Sequence, residues 1–152
     1  MLTKLRDAEG GLLHRYRDGE AACPAVVDDY ADLAWGCLEL HGATGDPRWL
    51  DEGRGLVEAM EARCGDGAGG LFFSAPDPLL PLRQMVVTDA ALPAGVAVAA
   101  EVLVRLGDAT GEPRYRERAR ELVGAVAGAV ATAPLGCAQL LSASMLLEEE
   151  PG

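Results

Sequence analysis

A seven-residue pattern occurs twice in this sequence. The copies are Ala43–Trp49 (ATGDPRW) and Ala109–Tyr115 (ATGEPRY), and Ala109 lies 66 residues after Ala43. The apolar residues that follow the two copies keep the same offset: Trp49, Gly53, Leu56, Val57 and Met60 correspond to Tyr115, Ala119, Leu122, Val123 and Val126. Their steps of four, three, one and three residues place these side chains on one face of an α-helix. The repeat therefore predicts the same helical unit twice.

Each copy of the pattern is typical of a tight corner between two helices. Gly45 and Gly111 can adopt the left-handed conformation that ends a helix. Pro47 and Pro113 suit the first turn of a helix, where no amide hydrogen is needed. Each corner thus predicts two antiparallel helices joined by a very short connection.

Apolar periodicity predicts the remaining helices. We expect helices at about 28–42, 47–63, 94–108, 113–131 and 135–148, which gives repeat units at about 28–63 and 94–131 and a terminal helix. The helix at 94–108 is apolar almost all round, apart from Glu101 and Arg105, and is predicted to be buried on most sides. Its partner at 113–131 carries charges on one face, as an outer helix does. We treat residues 1–152 as one domain.

Two short β segments interrupt the helices. Residues 12–17 and 20–23 flank Asp18-Gly19, which is a strong two-residue hairpin turn. Residues 71–74 and 83–87 could pair across a proline-rich loop. The predicted fold class is therefore all-α, built from antiparallel helical hairpins with one or two short β-hairpins.

The charge balance excludes two classes of partner. Thirteen Lys and Arg against 24 Asp and Glu give a net charge of −11, which disfavours binding to nucleic acid and to anionic membranes. Apolar runs fall short of a membrane span, and the first residues lack the apolar core of a signal peptide. We therefore expect a cytoplasmic protein.

The cysteines predict neither a redox site nor a metal site. Cys23, Cys37, Cys64 and Cys137 form no Cys-x-x-Cys pair, and the two histidines show no metal-ligand spacing. Cys37 and Cys137 lie among apolar neighbours and are predicted to be core residues. No cofactor is expected.

The order of motifs resembles a known family. The segments that carry the resemblance are His14–Gly19, Asp28–Ala31, Thr44–Leu50, Gly69–Phe73, Asp89–Gly95 and the second corner. They are similar to the C-terminal part of the thioredoxin-domain-containing proteins related to spermatogenesis-associated protein 20. The resemblance implies a partial (α/α)6 toroid of two or three hairpins out of six, similar to the toroids of six-hairpin glycosidases and N-acylglucosamine 2-epimerases.

The sequence departs from the family in ways that bear on function. The resemblance covers neither the family's thioredoxin-like domain nor its first hairpins. In the loop before the last inner helix, Arg83 and Asp89 match the family pattern. Its Lys, Ser and Asn positions instead hold Met85, Ala94 and Val96, which removes three polar groups that could contact a ligand.

Six residues are candidates to face a ligand at the mouth of the toroid: His14, Asp28, Asp29, Tyr30, Arg83 and Asp89. The two adjacent aspartates either form a carboxylate pair for acid–base work or for sugar hydroxyls, or stabilise the start of a helix. Asp89 either contacts a ligand or binds nearby backbone amides. Trp35 either lines the funnel or is buried between helices.

Two functions of different classes follow. The first is a non-catalytic fragment or interaction module of the family, which the lost polar positions favour. The alternative is a carbohydrate-binding or carbohydrate-modifying domain, which rests on fold analogy. Because the predicted hairpins leave open edges and the helix at 94–108 is so apolar, we also expect a homo-oligomer.

Overall fold

The computed structural model describes residues 4–149, and five α-helices lie within that range. In chain order they are α1 (Val27–Thr44), α2 (Pro47–Cys64), α3 (Gly95–Thr110), α4 (Pro113–Thr132) and α5 (Ala138–Glu148). A short 3₁₀ helix, Pro134–Gly136, precedes α5. The predominantly helical fold predicted from the sequence is confirmed, and each predicted helix lies within three residues of an observed one. The predicted last residues, 150–152, lie outside the described residues.

The first predicted β-hairpin is present. Strand β1 (Leu13–Arg17) pairs antiparallel with β2 (Glu20–Pro24), and Arg17 lies opposite Glu20. The turn residues Asp18 and Gly19 both have positive φ, 53° and 88°. This is the backbone that a two-residue hairpin turn requires.

The second hairpin that the sequence allowed, between 71–74 and 83–87, does not form. The backbone of residues 71–73 is bound to other partners: Leu71 forms a single bridge with Gly65, and the Phe73 carbonyl accepts a hydrogen bond of 2.8 Å from Val27 N. One ladder bond remains, from Phe73 N to the Gln84 carbonyl at 2.7 Å. The segment ties the end of α2 to the start of α1 and so cannot also form a ladder.

The two corners have the predicted geometry. Gly45 and Gly111 have φ of 67° and 70°, and each donates its amide to the carbonyl four residues earlier. The preceding threonines also behave alike. The hydroxyls of Thr44 and Thr110 each donate to the carbonyl four residues before, both at 2.6 Å. The sequence repeat is therefore a repeat of structure at these corners.

Helix α3 lies at the centre of the fold. It packs against α1 on one side, α5 on the other, and α4, while α2 packs mainly on α1. Every residue of α3 from Gly95 to Leu106 is buried except Arg105. This confirms the predicted burial of α3, and the arrangement places α1, α3 and α5 next to one another.

The predicted burial of two cysteines is confirmed, and the aromatic residues at the corners and on α1 differ in their exposure. Cys37 and Cys137 are buried, as is Tyr115, whereas Trp49 and Trp35 are only half-buried. The Trp49 ring remains partly exposed beneath the Arg48 guanidinium, 4.5 Å from its centroid.

Within residues 4–149, no helix combines the length and apolar character needed to cross a membrane.

Candidate functional site

Asp28 joins the starts of two helices. It lies in the first turn of α1, and its Oδ1 accepts a hydrogen bond of 3.0 Å from the backbone N–H of Gly95, the first residue of α3. Burial raises the pKa of this carboxyl, and the neighbouring charge of Asp29 adds to the rise, while the Gly95 N–H opposes it. A Cβ on Gly95 would come within 2.7 Å of the Asp28 backbone. The glycine therefore permits the close approach that this hydrogen bond needs.

Asp29 and His14 are brought together across the hairpin and α1. His14 Nδ1 lies 2.9 Å from each carboxylate oxygen of Asp29. Asp29 Oδ2 also accepts a hydrogen bond of 2.9 Å from Val26 N, which caps α1. The His14 side chain is 56% exposed and that of Asp29 is 22% exposed. Of the candidates, these two form a polar pair that reaches solvent.

Tyr30 lies in the core. Its side chain is 1% exposed, and its hydroxyl accepts a hydrogen bond of 3.0 Å from Leu12 N. The phenol thus fixes the segment before β1 against α1. The structure places Tyr30 beneath the hairpin, away from any ligand at the surface.

Arg83 holds the long loop between α2 and α3. Its Nε and one terminal nitrogen donate to the Ser74 carbonyl at 3.0 and 2.7 Å, and the same terminal nitrogen donates to the Arg63 carbonyl at 3.1 Å. The guanidinium also lies 4.1 Å from the centroid of the Phe72 ring. Its donors are therefore directed at backbone carbonyls of the loop and of α2.

Asp89 joins the same loop to two helices. Oδ1 accepts from Ala94 N at 2.9 Å, next to the start of α3, and Oδ2 accepts from Gln139 N at 3.0 Å, in the first turn of α5. Each helix N-terminus presents unpaired N–H groups and a partial positive charge, so a carboxylate is favourable there. The two oxygens of Asp89 thus satisfy two helix starts at once.

Met85, Ala94 and Val96, the three apolar residues singled out in this loop, are part of the packing. Ala94 and Val96 are 5% and 0% exposed, and Met85 is half-buried against the core. None of the three offers a group that could donate or accept a proton. These three side chains therefore contribute packing contacts and no group for acid–base chemistry.

A cavity of about 290 Å³ lies beside the His14–Asp29 pair. Its polar lining comes from His14, Asp29 and Asp32, and its apolar lining from four leucines: Leu5, Leu12, Leu13 and Leu33. Burial raises the pKa of Asp32, and the charges of Asp28 and Asp29 add to the rise. Our sequence reasoning missed Asp32. The sequence did indicate that Asp32 lies near Asp28, because the two residues are four apart and so share a helix face.

A second polar cluster, on α1, α3 and α5, was also missed. Glu101 is 5% exposed and accepts hydrogen bonds from Arg105 Nε at 2.8 Å and from the Gln139 side-chain amide. Arg105 also donates to Glu39 at 2.7 Å, and Glu39 accepts from the Trp35 indole at 2.9 Å. The sequence did indicate an ion pair here, because Glu101 and Arg105 have opposite charges and lie four residues apart in an otherwise apolar helix. The cluster links the three adjacent helices through charged hydrogen bonds.

Among residues 4–149, no three His, Cys, Asp or Glu side chains are grouped so that they could hold a metal ion. The four cysteines have free thiols; burial raises the pKa of the Cys37 and Cys64 thiols, and Cys23 is exposed.

Comparison with known proteins finds distant relatives that share one name. No protein-family model matches the chain. Human spermatogenesis-associated protein 20 is 27% identical over 124 residues, which is 80% of this chain and 16% of the human protein. The mouse protein of the same name is 30% identical over 99 residues, 63% of this chain. An uncharacterized protein of Caenorhabditis elegans is 26% identical over 117 residues. The match thus spans 16% of the human and nematode proteins and 12% of the mouse protein.

Proposed function

We propose that this chain, a relative of spermatogenesis-associated protein 20, is a non-catalytic helical interaction module that binds a second copy of itself. The observation that carries the proposal is an apolar surface along α5, which we call the α5 edge. Its members are the exposed apolar residues on and beside that helix: Leu92, Leu135, Leu141 and Met145.

The side chains of the α5 edge are each exposed to solvent over a large fraction of their surface. Leu135 is 97% exposed, Leu92 72%, Met145 69% and Leu141 39%. Leu92 and Leu135 belong to segments that are joined by the hydrogen bond from Asp89 N to the Gly136 carbonyl, 2.7 Å long. Leu141 and Met145 lie four residues apart and so share a face of α5. Exposed apolar groups in such proximity are typical of an interface.

The composition of α5 also supports association. From Ala138 to Leu147 the helix carries no charged residue. Leu140 and Ala143 are buried against the rest of the fold, while the opposite face is open. An edge that lacks charge pays no ionic desolvation cost when a second apolar surface covers it, and each Å² covered contributes roughly 25 cal/mol.

The candidate mouth residues support a non-catalytic role. Asp28 and Asp89 bind backbone amides at helix starts, Arg83 binds backbone carbonyls, and Tyr30 is buried. Each therefore has a structural task or lies in the core. A polar atom held in a structural hydrogen bond is less available to exchange a proton with a substrate than a free one.

The resemblance to a toroid suggests how two copies would meet. A toroid of six hairpins has six inner helices, and α1, α3 and α5 are candidates for three of them. A second copy would supply the other three, with the α5 edge of each copy facing α1 of the other. We propose this quasi-closed ring as the arrangement of the dimer and the cytoplasm as its location, where free thiols such as Cys23 persist.

Light scattering at micromolar concentration and physiological salt tests the proposal. The wild-type chain should have twice the mass of one chain, 15.8 kDa. The double variant Leu135→Ser with Met145→Ser should be a monomer, because two exposed members of the α5 edge become polar. The matched control is Leu79→Ser with Leu82→Ser, which changes two leucines that are 87% and 81% exposed on the long loop. The control should remain a dimer.

A monomeric wild-type chain would contradict the proposal. So would an edge variant that remains dimeric, or a loop variant that dissociates as readily as the edge variant. Circular dichroism of each variant shows whether it is folded, and all four positions are exposed enough for serine to be tolerated.

The alternative, a carbohydrate-binding domain, is favoured by Trp35 and Glu39. An indole ring beside a carboxylate is suited to sugar binding, and the Glu101–Arg105 pair adds further polar groups. Against it, the Arg105 guanidinium lies over the Trp35 ring, 5.2 Å from its centroid, and so competes with a sugar for that face of the ring. Titration with a sugar library, followed by NMR shifts at Trp35 and Glu39, distinguishes the two functions.

A further inference from the structure

We infer that Arg116 is the clamp of a detachable helix: its guanidinium holds the C-terminal end of α5 on the fold, and α5 opens as a unit from the other helices. Arg116 acts through the position of α5 and is therefore a positioning residue. The α5 edge is complete only while α5 is docked, so the clamp also controls the dimer. This last consequence alone rests on the function proposed above.

Arg116 is a buried charge that binds the end of a neighbouring helix. It lies on α4 and is 7% exposed. One terminal nitrogen lies 3.0, 3.3 and 2.6 Å from the carbonyl oxygens of Leu146, Leu147 and Glu149. The other donates to Asp108 at 2.6 Å. The last carbonyls of a helix have no partner within it and carry partial negative charge, so a cation is favourable there.

Helix α3 provides both space and countercharge for this side chain. A Cβ on Gly107 would come within 2.7 Å of Arg116 Cγ, so the glycine leaves room for the arginine stem. Asp108, the next residue of α3, is the acidic partner of the guanidinium. A buried cation is costly without such partners. Arg116 is therefore fixed in position to bind α5.

The N-terminal end of α5 is also held by polar contacts. Asp89 Oδ2 accepts a hydrogen bond of 3.0 Å from Gln139 N, and the Gln139 side-chain amide donates to Glu101 of α3. A carboxylate at the N-terminal end and a guanidinium at the C-terminal end both match the helix dipole. Charged groups of other elements thus attach α5 at each of its ends.

Apolar burial holds α5 less firmly than α3. Two of the eleven residues of α5 are buried, Leu140 and Ala143, against twelve of the sixteen in α3. Irregular backbone at Ala133 and Cys137 separates α5 from α4, and so short a helix has little stability of its own in water. Elements with few buried contacts open locally before the whole domain unfolds. Without the Arg116 contact, α5 should therefore open more often while α1 and α2 stay folded.

Native-state hydrogen exchange, followed by NMR at several urea concentrations, tests the inference. In the wild-type chain the amides of α5 should share one opening free energy with a small urea dependence, well below the value for α3. Arg116→Met keeps a long side chain without the donors. It should speed exchange in α5 by about tenfold or more, as expected when hydrogen bonds to a charged group are lost. Arg116→Lys, which keeps a cation with fewer donors, should lie between the two.

The matched control is Arg120→Met, which removes the same charge from an exposed position on α4 and should leave exchange in α5 unchanged. Wild-type α5 amides that exchange only with the whole fold, with the free energy and urea dependence of α3, would overturn the inference. So would an Arg116→Met variant with unchanged exchange in α5, or one that also loses the helical ¹³Cα shifts of α1 and α2.

The consequence for the dimer has its own measurement. Exchange in wild-type α5 should slow as the protein concentration rises, because a dimer contact at the α5 edge stabilises the closed form. An exchange rate independent of concentration would overturn the link to the dimer, whereas separate opening of α5 would still support the clamp. Failure of the proposed function and failure of the clamp are therefore distinguishable.

Discussion

Several aspartates in this molecule bind backbone amides. Asp28 binds Gly95 N, Asp89 binds Ala94 N and Gln139 N, and Asp66 binds the amides of Ala68 and Gly70. These bonds connect segments that are distant in sequence or close a tight turn. Because a charged acceptor on a helix start combines a hydrogen bond with the helix dipole, each such contact contributes to stability.

Replacing Asp89 by alanine should lower the free energy of unfolding by about 2 kcal/mol, since two amides at the starts of α3 and α5 lose their acceptor. The measurement is urea unfolding followed by circular dichroism. The matched control is Asp77→Ala, where one carboxylate oxygen accepts a single exposed hydrogen bond, from Leu79 N. The control should cost less than about 0.5 kcal/mol. Equal losses for the two variants would show that Asp89 does not link the helices.

The sequence predicted some of these side chains and missed the function of others. The position of Asp29 and His14 near the surface was predictable, because both lie in segments with a clear strand or helix pattern. The structural role of the Tyr30 hydroxyl was not, since it binds the amide of Leu12, which is 18 residues away in sequence. The acceptors of Arg83 were equally hidden, because the Ser74 and Arg63 carbonyls meet only in the folded loop.

Helix boundaries are set by local chemistry, and for this reason they were predictable. Each corner has a glycine in the left-handed conformation followed by a proline two residues later, and both elements of the pattern are local. The second hairpin does not form because its backbone groups bind elsewhere: Phe73 binds Val27, which is remote in sequence, and Leu71 pairs with Gly65, on the other side of a tight turn. Local patterns predict helices and tight turns; the hydrogen bonds of an irregular loop depend on what the rest of the chain places beside it.

The glycines at the end of α1 permit a matched test of whether a left-handed glycine ends the helix. Gly45 has φ of 67°, so Gly45→Ala should lower the free energy of unfolding by about 1 kcal/mol. Gly42 lies within α1 with open space around it, and Gly42→Ala should raise the free energy of unfolding by about 0.5 kcal/mol. Thermal or urea unfolding measures both. If the two variants changed stability in the same direction, the left-handed cap would not be what ends α1.

At the scale of the whole molecule, association has to overcome charge. Each copy carries a net charge of −11, so two copies repel one another, while the α5 edge that we expect to join them carries no charge from Ala138 to Leu147. The repulsion acts over a distance set by the salt concentration, about 30 Å at 0.01 M and about 8 Å at 0.15 M. The contact between apolar groups depends little on salt in this range.

Salt should therefore strengthen the dimer. Raising NaCl from about 0.01 M to about 0.15 M should lower the dissociation constant several-fold, because screening removes repulsion between the chains and leaves the apolar contact unchanged. Sedimentation equilibrium at several protein concentrations measures the constant directly. An interface held by ion pairs would respond in the opposite way, with a dissociation constant that rises as salt is added. That result would move the interface away from the α5 edge and toward charged surfaces such as the outer faces of α2 and α4.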